Sequence, residues 1–235
     1  MSPSVNARTN LLKQMYTLYE DFSSRYPLVC RKGCDLCCTA NVTMTSLEGL
    51  LILNHWEGQG LTPPQTALQA AVQSKRFQPS LTINVIAFLC LQNKDIPEEA
   101  ADPAAGPCPL LHNGCCTIYA VRPFGCRAMV SRSQCVRGGA AEIPDEVLSA
   151  NHLLMQFIEA IDVPGLSGNL TDMLLLLCDA QLRGQAESGT GIAPPQGMAA
   201  NQPIPVLMVP PEHRARLQPL IRAVQECIVS QRRQR

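Results

Sequence analysis

The apolar and polar positions of the chain predict a mainly helical protein. Over residues 8–25 apolar side chains recur at helical spacing, and Pro27 ends the pattern; the apolar face consists of Leu11, Met15, Leu18, Tyr19 and Phe22. Thr45 and Glu48 match a capping box, so a second helix is expected to begin near Ser46. These two helices enclose a short cysteine-rich loop.

Two further helices are predicted in the middle of the chain. Thr62 is a suitable N-cap, and the two prolines after it fit a first helical turn, so a helix is expected from there to about Phe77. Residues 81–92 are apolar on most sides, and their β-branched content leaves helix and strand open, with a buried helix favoured. Residues 93–107 are acidic, rich in proline and aperiodic, which predicts a loop.

The last third of the chain combines helices with a segment of biased composition. Apolar faces predict helices over 144–162 and 169–183. Residues 184–211 are rich in Gly, Pro and Ala, which is typical of a poorly ordered linker or of an arm that lies on the surface. A final helix is expected over 212–232, and Pro219 bends it or marks its true start. Its predicted apolar face consists of Leu217, Leu220, Ile221, Val224 and Ile228.

A β-hairpin is the only extended structure that the pattern predicts firmly. Asn113-Gly114 separates two apolar runs, which is a strong signal for a two-residue turn. The expected fold class is therefore mainly α with a small β-hairpin, in a domain stapled by metal at its cysteines. We expect a helical domain over 1–183 with its core motif at 28–137, a linker or arm over 184–211, and a C-terminal helix over 212–235.

Composition and charge exclude several classes of function. The 235 residues carry 19 basic and 19 acidic side chains, so the chain has no net charge to attract nucleic acid. No apolar run approaches the roughly 18 residues that a membrane helix needs, and the N-terminus has no signal-peptide core. The sequence predicts a cytosolic protein that binds neither nucleic acid nor membrane.

The cysteines are the strongest chemical signal in the sequence. There are 12 of them, and nine fall into two short windows. The first window contains Cys30, Cys34, Cys37 and Cys38, and the second contains Cys108, Cys115, Cys116, Cys126 and Cys135. The other three, Cys90, Cys178 and Cys227, lie in apolar helical patterns and are expected to be buried packing residues.

Clustered cysteines in a reducing compartment favour metal over disulfide. Thiolates are soft ligands that select zinc or iron–sulfur clusters over hard cations. The doublets Cys37-Cys38 and Cys115-Cys116 add a constraint, because neighbouring side chains of an extended backbone point to opposite faces. Either one member of each doublet is spare, or the two windows hold more than one centre.

Four thiolates around Zn²⁺ or a cluster core leave a negative charge that needs neighbours. The basic residues next to the cysteines in sequence are Arg31, Lys32, Arg122, Arg127, Arg132 and Arg137, and they are candidates to offset it. His112 is near Cys108, but a position exposed at the hairpin is favoured over a ligand role. The chain has no phosphate-binding loop, catalytic triad order or paired-carboxylate motif.

The pattern resembles the CxxCxxCC cysteine-cluster family, described as a zinc- or iron-chelating domain, with which flagellin lysine N-methylase-like proteins are grouped. CRKGCDLCC resembles the family's opening cysteines, VTMTSLEGLL its short strand and helix start, and CPLL with CTIYAVRPFGCR its second motif. The resemblance covers about residues 28–137. It implies metal binding more firmly than any activity.

The resemblance also implies a set of ligands. The metal-ligating positions are expected at Cys30, Cys34, Cys37, Cys38, Cys108, Cys116, Cys126 and Cys135, and Cys115 is extra. Tyr119, Arg122, Pro123 and Arg127 match the motif as well. Eight cysteines are enough for two four-sulfur sites, or for one cluster with additional thiols.

Three functions remain open on the sequence. The first is a protein that carries an iron–sulfur cluster, 4Fe-4S before Zn²⁺, with a structural or electron-transfer role and a redox partner. The second is an enzyme that uses the cluster to modify a protein or peptide substrate, such as a lysine N-methylase. The third is a zinc-stapled interaction module whose arm over 184–211 docks a partner.

Overall fold

The computed structural model describes residues 4–136 and 139–233, and helices make up most of the regular structure in this part of the chain. They are α1 Val5–Ser23, α2 Ser46–Gly58, α3 Gln65–Ala71, α4 Ile83–Leu91, α5 Phe124–Arg127, α6 Asp145–Ile161, α7 Leu170–Leu177, α8 Ala180–Ser188 and α9 Arg214–Arg233. The predicted mainly helical class is confirmed.

In the part of the chain that the structure describes, five short strands form two antiparallel sheets. Strands β1 Thr43–Thr45, β4 Leu166–Asn169 and β5 Met198–Ala200 form one sheet in the order β1-β4-β5, and β2 Leu111–His112 pairs with β3 Cys115–Cys116 in the other. The small sheet β2-β3 is the predicted hairpin. The three-stranded sheet was not expected, because strands of three or four residues are too short to display an alternating pattern.

The two N-terminal helices begin where capping groups stand. The Ser4 hydroxyl accepts a hydrogen bond from the Ala7 N–H at 3.3 Å, so α1 starts at Val5, slightly before the predicted residue. The predicted capping box at the start of α2 is confirmed, with Thr45 and Glu48 bonded to each other's backbone N–H groups.

The middle helices depart from the prediction at their ends and in their burial. Helix α3 starts after Pro64 without a side-chain cap and ends at Ala71, so Thr62 is not the N-cap and the helix stops short of Phe77. Helix α4 is a helix as favoured, but it is buried only in part: Ala87 is buried, whereas Phe88 is 46% exposed and Leu91 56% exposed. The apolar run therefore predicted the helix correctly but predicted its burial wrongly.

The region predicted as one helix over 169–183 is two helices in the structure. Helix α7 ends at Leu177, and α8 begins after Asp179, whose carboxylate accepts hydrogen bonds from two backbone N–H groups of α8. Part of the segment 184–211 forms β5, and Ile192 and Val209 in it are buried. Of the two alternatives for this segment, these contacts correspond to an arm packed on the protein.

The C-terminal helix packs through the predicted face. Its buried side chains are Leu217, Leu220, Ile221 and Val224. Helix α9 runs from Arg214 through Pro219, so Pro219 does not mark its start. The last residues of the predicted range, 234–235, lie outside the described part of the chain.

Two hydrophobic cores meet at α2. One core joins α1, α6 and α9 and includes Leu47 and Leu51 from α2, and the other joins α2 to α7 and includes Leu50 and Leu53. Every residue from Ser46 to Leu53 is buried, as expected for a helix that is apolar on all sides. The cysteine windows flank this helix in the sequence and come together at its N-terminal end.

Candidate metal centre

A single cavity of about 420 Å³ is lined by both cysteine windows. The thiols on its wall are Cys30, Cys34, Cys37, Cys38, Cys108, Cys115, Cys116 and Cys126. The structure therefore brings together seven of the eight predicted ligands, together with Cys115, which was considered extra. All 12 cysteines of the chain are free thiols.

Backbone hydrogen bonds hold the two windows side by side. The Cys108 N–H donates to the Cys38 carbonyl at 3.0 Å, and the Ala40 N–H donates to the Gly106 carbonyl at 2.8 Å. At the other end of the first window, the Val29 N–H donates to the Ser131 carbonyl at 2.9 Å. These backbone hydrogen bonds hold the two windows together, and no thiol takes part in them.

The first doublet does not have the geometry that the sequence suggested. Cys37 and Cys38 lie in a turn, closed by a 3.0 Å hydrogen bond from the Cys38 N–H to the Asp35 carbonyl, so their thiols converge instead of pointing to opposite faces. The Cys38 thiol donates a hydrogen bond that lowers the pKa of Cys37 to about 6, and the same bond raises the pKa of Cys38. Both members of the doublet are available to one site.

Five thiols form an inner group around this doublet. Burial raises the pKa of Cys126, and the neighbouring Cys108 and Cys116 thiols raise it further. Burial also raises the pKa of Cys108, again with Cys116 beside it. The Cys126 and Cys108 thiols also raise the pKa of Cys38 through their electrostatic interaction with it. We call Cys37, Cys38, Cys108, Cys116 and Cys126 the inner thiols.

Three thiols form an outer group next to Cys37. Burial raises the pKa of Cys30, and the Cys37, Cys135 and Cys34 thiols around it act in the same direction. Cys135 is not on the cavity wall, and its sulfur lies 4.0 Å from the Ser133 carbonyl oxygen. We call Cys30, Cys34 and Cys135 the outer thiols. Cys37 is the point at which the two groups meet.

The hairpin delivers Cys116 to the inner group. Its turn has φ of 50° at Asn113 and 72° at Gly114, the left-handed conformation that this dipeptide tolerates. The prediction of the hairpin is confirmed. In β3 the neighbours Cys115 and Cys116 differ in exposure, with Cys115 exposed and Cys116 half-buried, as the alternation of a strand requires. His112 is exposed, as expected.

Helix α5 positions Cys126, and two features of the fold hold α5 in place. The buried Glu48 carboxylate accepts a 2.6 Å hydrogen bond from the Phe124 N–H at the start of α5. Gly125 packs so closely on β1 that a Cβ there would lie 2.7 Å from the Thr43 carbonyl oxygen. The sequence indicated Glu48 only as half of a capping box, and its long-range contact had no signal in the spacing.

The basic residues near the cysteines have different roles. The Arg122 guanidinium lies 4.0 Å from the centre of the Tyr119 ring and opposes the rise in the pKa of Cys126, so it faces the inner thiols. Arg127 is buried and donates to the carbonyls of Arg122 and Ala120, which makes it a structural support of this turn.

The remaining predicted cations lie either on the cavity wall or on the protein surface. Arg31 and Lys32 line the cavity. Arg132 is exposed, and its guanidinium pairs with Glu142 at 3.2 Å. Arg137 lies outside the described residues.

The donor set fits a thiolate-bound metal, although the thiols do not form a closed coordination shell. Within residues 4–136 and 139–233, no three His, Cys, Asp or Glu side chains are arranged tightly enough to hold an ion. The inner thiols nevertheless come from three chain segments and face one cavity, and soft sulfur is the ligand that zinc and iron–sulfur clusters prefer. Binding would require the thiols to turn toward a common centre.

The three isolated cysteines lie away from the cavity wall. Cys178 and Cys227 are partly buried in helical surroundings. Cys90 is exposed on α4, so its expected burial was wrong. Phe88 and Leu91 of the same helix are exposed as well.

The sequence gave no signal for one polar group of this cavity. Tyr19 was expected only as part of the apolar face of α1, and its ring does pack edge-on against Phe124 with centroids 4.9 Å apart. The residue also lines the cavity, and its hydroxyl is buried without a hydrogen-bond partner among the described residues.

Comparison with known proteins leaves these residues to be interpreted on their own. No protein-family model, curated protein or solved structure matches the chain. Within the described part of the chain, none of the helices combines the length and the apolar character needed to span a bilayer.

Proposed function

We propose that this protein binds a metal centre through the thiolates of its two cysteine windows. The observation that carries the proposal is the shared cavity, in which thiols separated by about a hundred residues of sequence line one wall. Such a site needs reduced thiols, so we also propose that the protein works in a reducing compartment such as the cytosol.

We put an iron–sulfur cluster, 4Fe-4S in particular, first and a zinc ion second. Thiolates hold both, and a structural zinc ion takes four ligands, with its sulfurs about 2.3 Å away. A cavity of about 420 Å³ has room for either centre, so the metal analysis described below decides between them.

The inner thiols would hold this centre, and the outer thiols would complete a second site or remain available to it. Arg122 faces the inner thiols and would offset the negative charge of a thiolate-bound centre. When bound, an iron–sulfur cluster supplies one-electron transfer, which suits a structural or electron-carrying role with a redox partner.

A second candidate is an enzyme that uses the centre on a protein or peptide substrate. The observation that favours it is the open cavity, since catalytic metal sites keep a position accessible whereas structural sites are closed. Lysine N-methylation is the activity to test first, because of the sequence resemblance. A zinc-stapled interaction module is disfavoured by the same open cavity.

The experiment that tests the proposal is anaerobic purification followed by analysis of iron, zinc and acid-labile sulfide. A brown protein with iron and sulfide in equal amounts supports an iron–sulfur cluster. A colourless protein with stoichiometric zinc supports the zinc alternative. Protein that contains neither metal, and takes up neither when reconstituted, would overturn the proposal.

Two variants show whether the metal is bound where we propose. Cys126→Ser removes an inner thiol whose pKa is raised by burial, and it is expected to abolish stoichiometric metal binding. Cys178→Ala changes a partly buried cysteine outside the cavity and is expected to retain the full metal content. Equal metal content in the two variants would show that the ligand set is wrong.

A further inference from the structure

Basic side chains are concentrated in the two segments that carry the cysteine windows. Residues 22–34 and 103–141 contain seven of the chain's 19 basic side chains and none of its 19 acidic ones. The chain as a whole has no net charge, so the positive charge of these segments is balanced by acidic residues elsewhere in the sequence. A local excess of one sign of charge attracts a partner of the opposite sign.

The fold brings the two basic segments together at the opening of the cysteine cavity. The Val29 N–H donates to the Ser131 carbonyl at 2.9 Å, which joins the first segment to the second. Lys32 Nζ lies 5.8 Å from the centre of the Tyr119 ring, and the Arg122 guanidinium lies 4.0 Å from the same centre. Cations from both segments therefore lie around one aromatic ring on the cavity wall.

The cations at this opening are not neutralised by the protein itself. Arg31, Lys32 and Arg122 form no ion pair with any carboxylate of the described residues. Arg31 and Lys32 are exposed, whereas Arg122 is half-buried. The first two are therefore available to a partner that approaches from outside.

The acidic side chains near the opening have neighbours of their own. Glu20 pairs with Arg127, and Glu142 pairs with Arg132. Asp35 lies beside the turn of the hairpin. The positive charge of Arg31 and Lys32 thus remains directed at solvent.

Exposed apolar side chains lie next to these two cations. Val29 is 47% exposed and Met129 is 41% exposed, and the bond from Val29 to Ser131 holds their segments side by side. The Cys30 and Cys34 thiols are exposed at the same opening. Protein interfaces combine an apolar patch of this kind with a charged rim. We call Val29, Arg31, Lys32 and Met129 the entrance face.

The small number of cations argues against two other anionic partners. Attachment to a membrane by charge takes a cluster of roughly four to eight Lys or Arg side chains, and DNA-binding proteins contact roughly six to ten phosphates. The entrance face has only Arg31 and Lys32, and the one tryptophan of the chain, Trp56, is buried and cannot anchor at a membrane surface. A few charges around an apolar patch are enough to steer and orient a protein.

We infer that the entrance face binds a protein partner that presents acidic side chains around an apolar patch. In the proposed function this protein is the redox partner, so its role rests on that proposal, whereas the binding itself does not. A partner bound here covers the exposed Cys30 and Cys34 thiols and lies next to the candidate metal centre.

The test measures the binding of labelled peptides to the full-length protein by fluorescence anisotropy, both as purified and after metal removal. The probe has the sequence Glu-Glu-Leu-Glu-Glu-Leu-Glu-Glu, and two comparison peptides carry Lys in place of Glu or Ser in place of Leu. We expect saturable binding of the probe, at least about tenfold tighter than the Lys peptide and about threefold tighter than the Ser peptide, and weaker at high salt. No saturable binding in either preparation, or equal affinity for the probe and the Lys peptide, would overturn the inference.

Oligothymidylate and phosphatidylserine vesicles test the other anionic partners. Both are expected to bind more weakly than the acidic peptide, because the entrance face has too few cations for either. Tighter binding of one of them, lost when Arg31 and Lys32 are replaced, would assign the face to nucleic acid or to a membrane and contradict a protein partner.

Two matched double variants identify the face that is responsible. Arg31→Glu with Lys32→Glu is expected to weaken binding of the probe at least about tenfold while melting like the wild type, because both side chains are exposed. Lys94→Glu with Arg222→Glu makes the same change of charge at exposed positions outside the cavity wall and is expected to bind the probe like the wild type. Equal weakening in the two variants would show attraction by overall charge and would refute the entrance face.

The outcome can be separated from that of the proposed function. Metal content is measured on the same preparations before the peptides are added. Protein that binds metal but not the probe overturns the entrance face alone, and protein that binds the probe without ever holding metal overturns the proposed function alone.

Discussion

Glu48 joins three elements through one carboxylate. Besides the backbone of the capping box, it accepts hydrogen bonds from the Tyr16 hydroxyl at 2.7 Å and from the Phe124 N–H at 2.6 Å. It is 2% exposed, so each of these donors depends on it for a partner. A residue that looks like a local cap in the sequence thus connects α1, α2 and α5.

We expect Glu48→Gln to lower the free energy of unfolding by about 1–3 kcal/mol, because an amide cannot accept from all the donors that the carboxylate serves. Urea unfolding followed by circular dichroism measures this. Glu57→Gln is the control, since Glu57 pairs with Arg183 on the exposed surface, where an ion pair contributes about 1 kcal/mol or less. A smaller loss for Glu48 than for Glu57 would contradict this role.

Another buried carboxylate, that of Asp162, pairs with Arg8 at 3.2 Å, and both side chains are almost completely buried. Asp162 also accepts from the Ser46 hydroxyl and the Leu47 N–H at the start of α2. The pair thereby connects α1 to the end of α6 and the start of α2.

We expect Asp162→Asn to lower the free energy of unfolding by about 3–5 kcal/mol, because it leaves the buried Arg8 guanidinium without its counter-charge. Chemical denaturation measures the change. Adding Arg8→Met to this variant should recover part of the loss, since the unpaired charge is then absent. A double variant no more stable than the single one would show that the charge is not the cause.

At the scale of elements, the sequence predicted what local interactions determine. The capping box at Thr45, the turn at Asn113-Gly114 and the apolar face of α9 all act within a few residues, and all three are found in the structure. The three-stranded sheet and the exposure of α4 depend on partners distant in the chain, so no local pattern contained them. The same holds for Cys37 and Cys38, where a turn replaces the extended backbone assumed from the sequence.

The close approach of α5 to β1 gives a prediction at this scale. Gly125→Ala would place a Cβ 2.7 Å from the Thr43 carbonyl oxygen, so α5 must shift and carry Cys126 with it. We expect reduced metal content together with a lower melting temperature. Metal analysis and thermal unfolding on one preparation measure both.

Gly184→Ala is the control for this substitution, because a Cβ at Gly184 meets no atom within 4 Å. This residue lies inside α8, where alanine is favoured over glycine by roughly 0.5–1 kcal/mol. The control should therefore be as stable as the wild type or more stable, with unchanged metal content. Loss of metal in both variants would point to a general effect of substitution.

At the scale of the whole molecule, the two hydrophobic cores consist of apolar side chains that pack on one another. The first contains α1, α6 and α9, and the second joins α2 and α7. The cysteine windows lie at the edge of both cores, so the effect of metal on stability is expected to be largest in the loops that carry them.

We expect metal removal to expose the first window to trypsin at Arg31 and Lys32 before it unfolds the helices. Limited proteolysis with mass spectrometry, run on metal-loaded and metal-free protein, measures the order of cleavage. Helical circular dichroism should change little over the same period, because the cores remain packed. If helicity instead falls as fast as the loop is cleaved, metal binding and folding are one process.

The backbone bonds between Cys38 and Cys108 and between Ala40 and Gly106 have a consequence for how an ion is exchanged. These bonds bring the sulfur donors together before any ion binds. Folding has therefore already met the entropic cost of closing the long loop between the two windows, and metal binding does not add it. Loading of the proposed centre would then begin from donors that already share one cavity, and what the metal adds would be the ordering of the loop over residues 30–38.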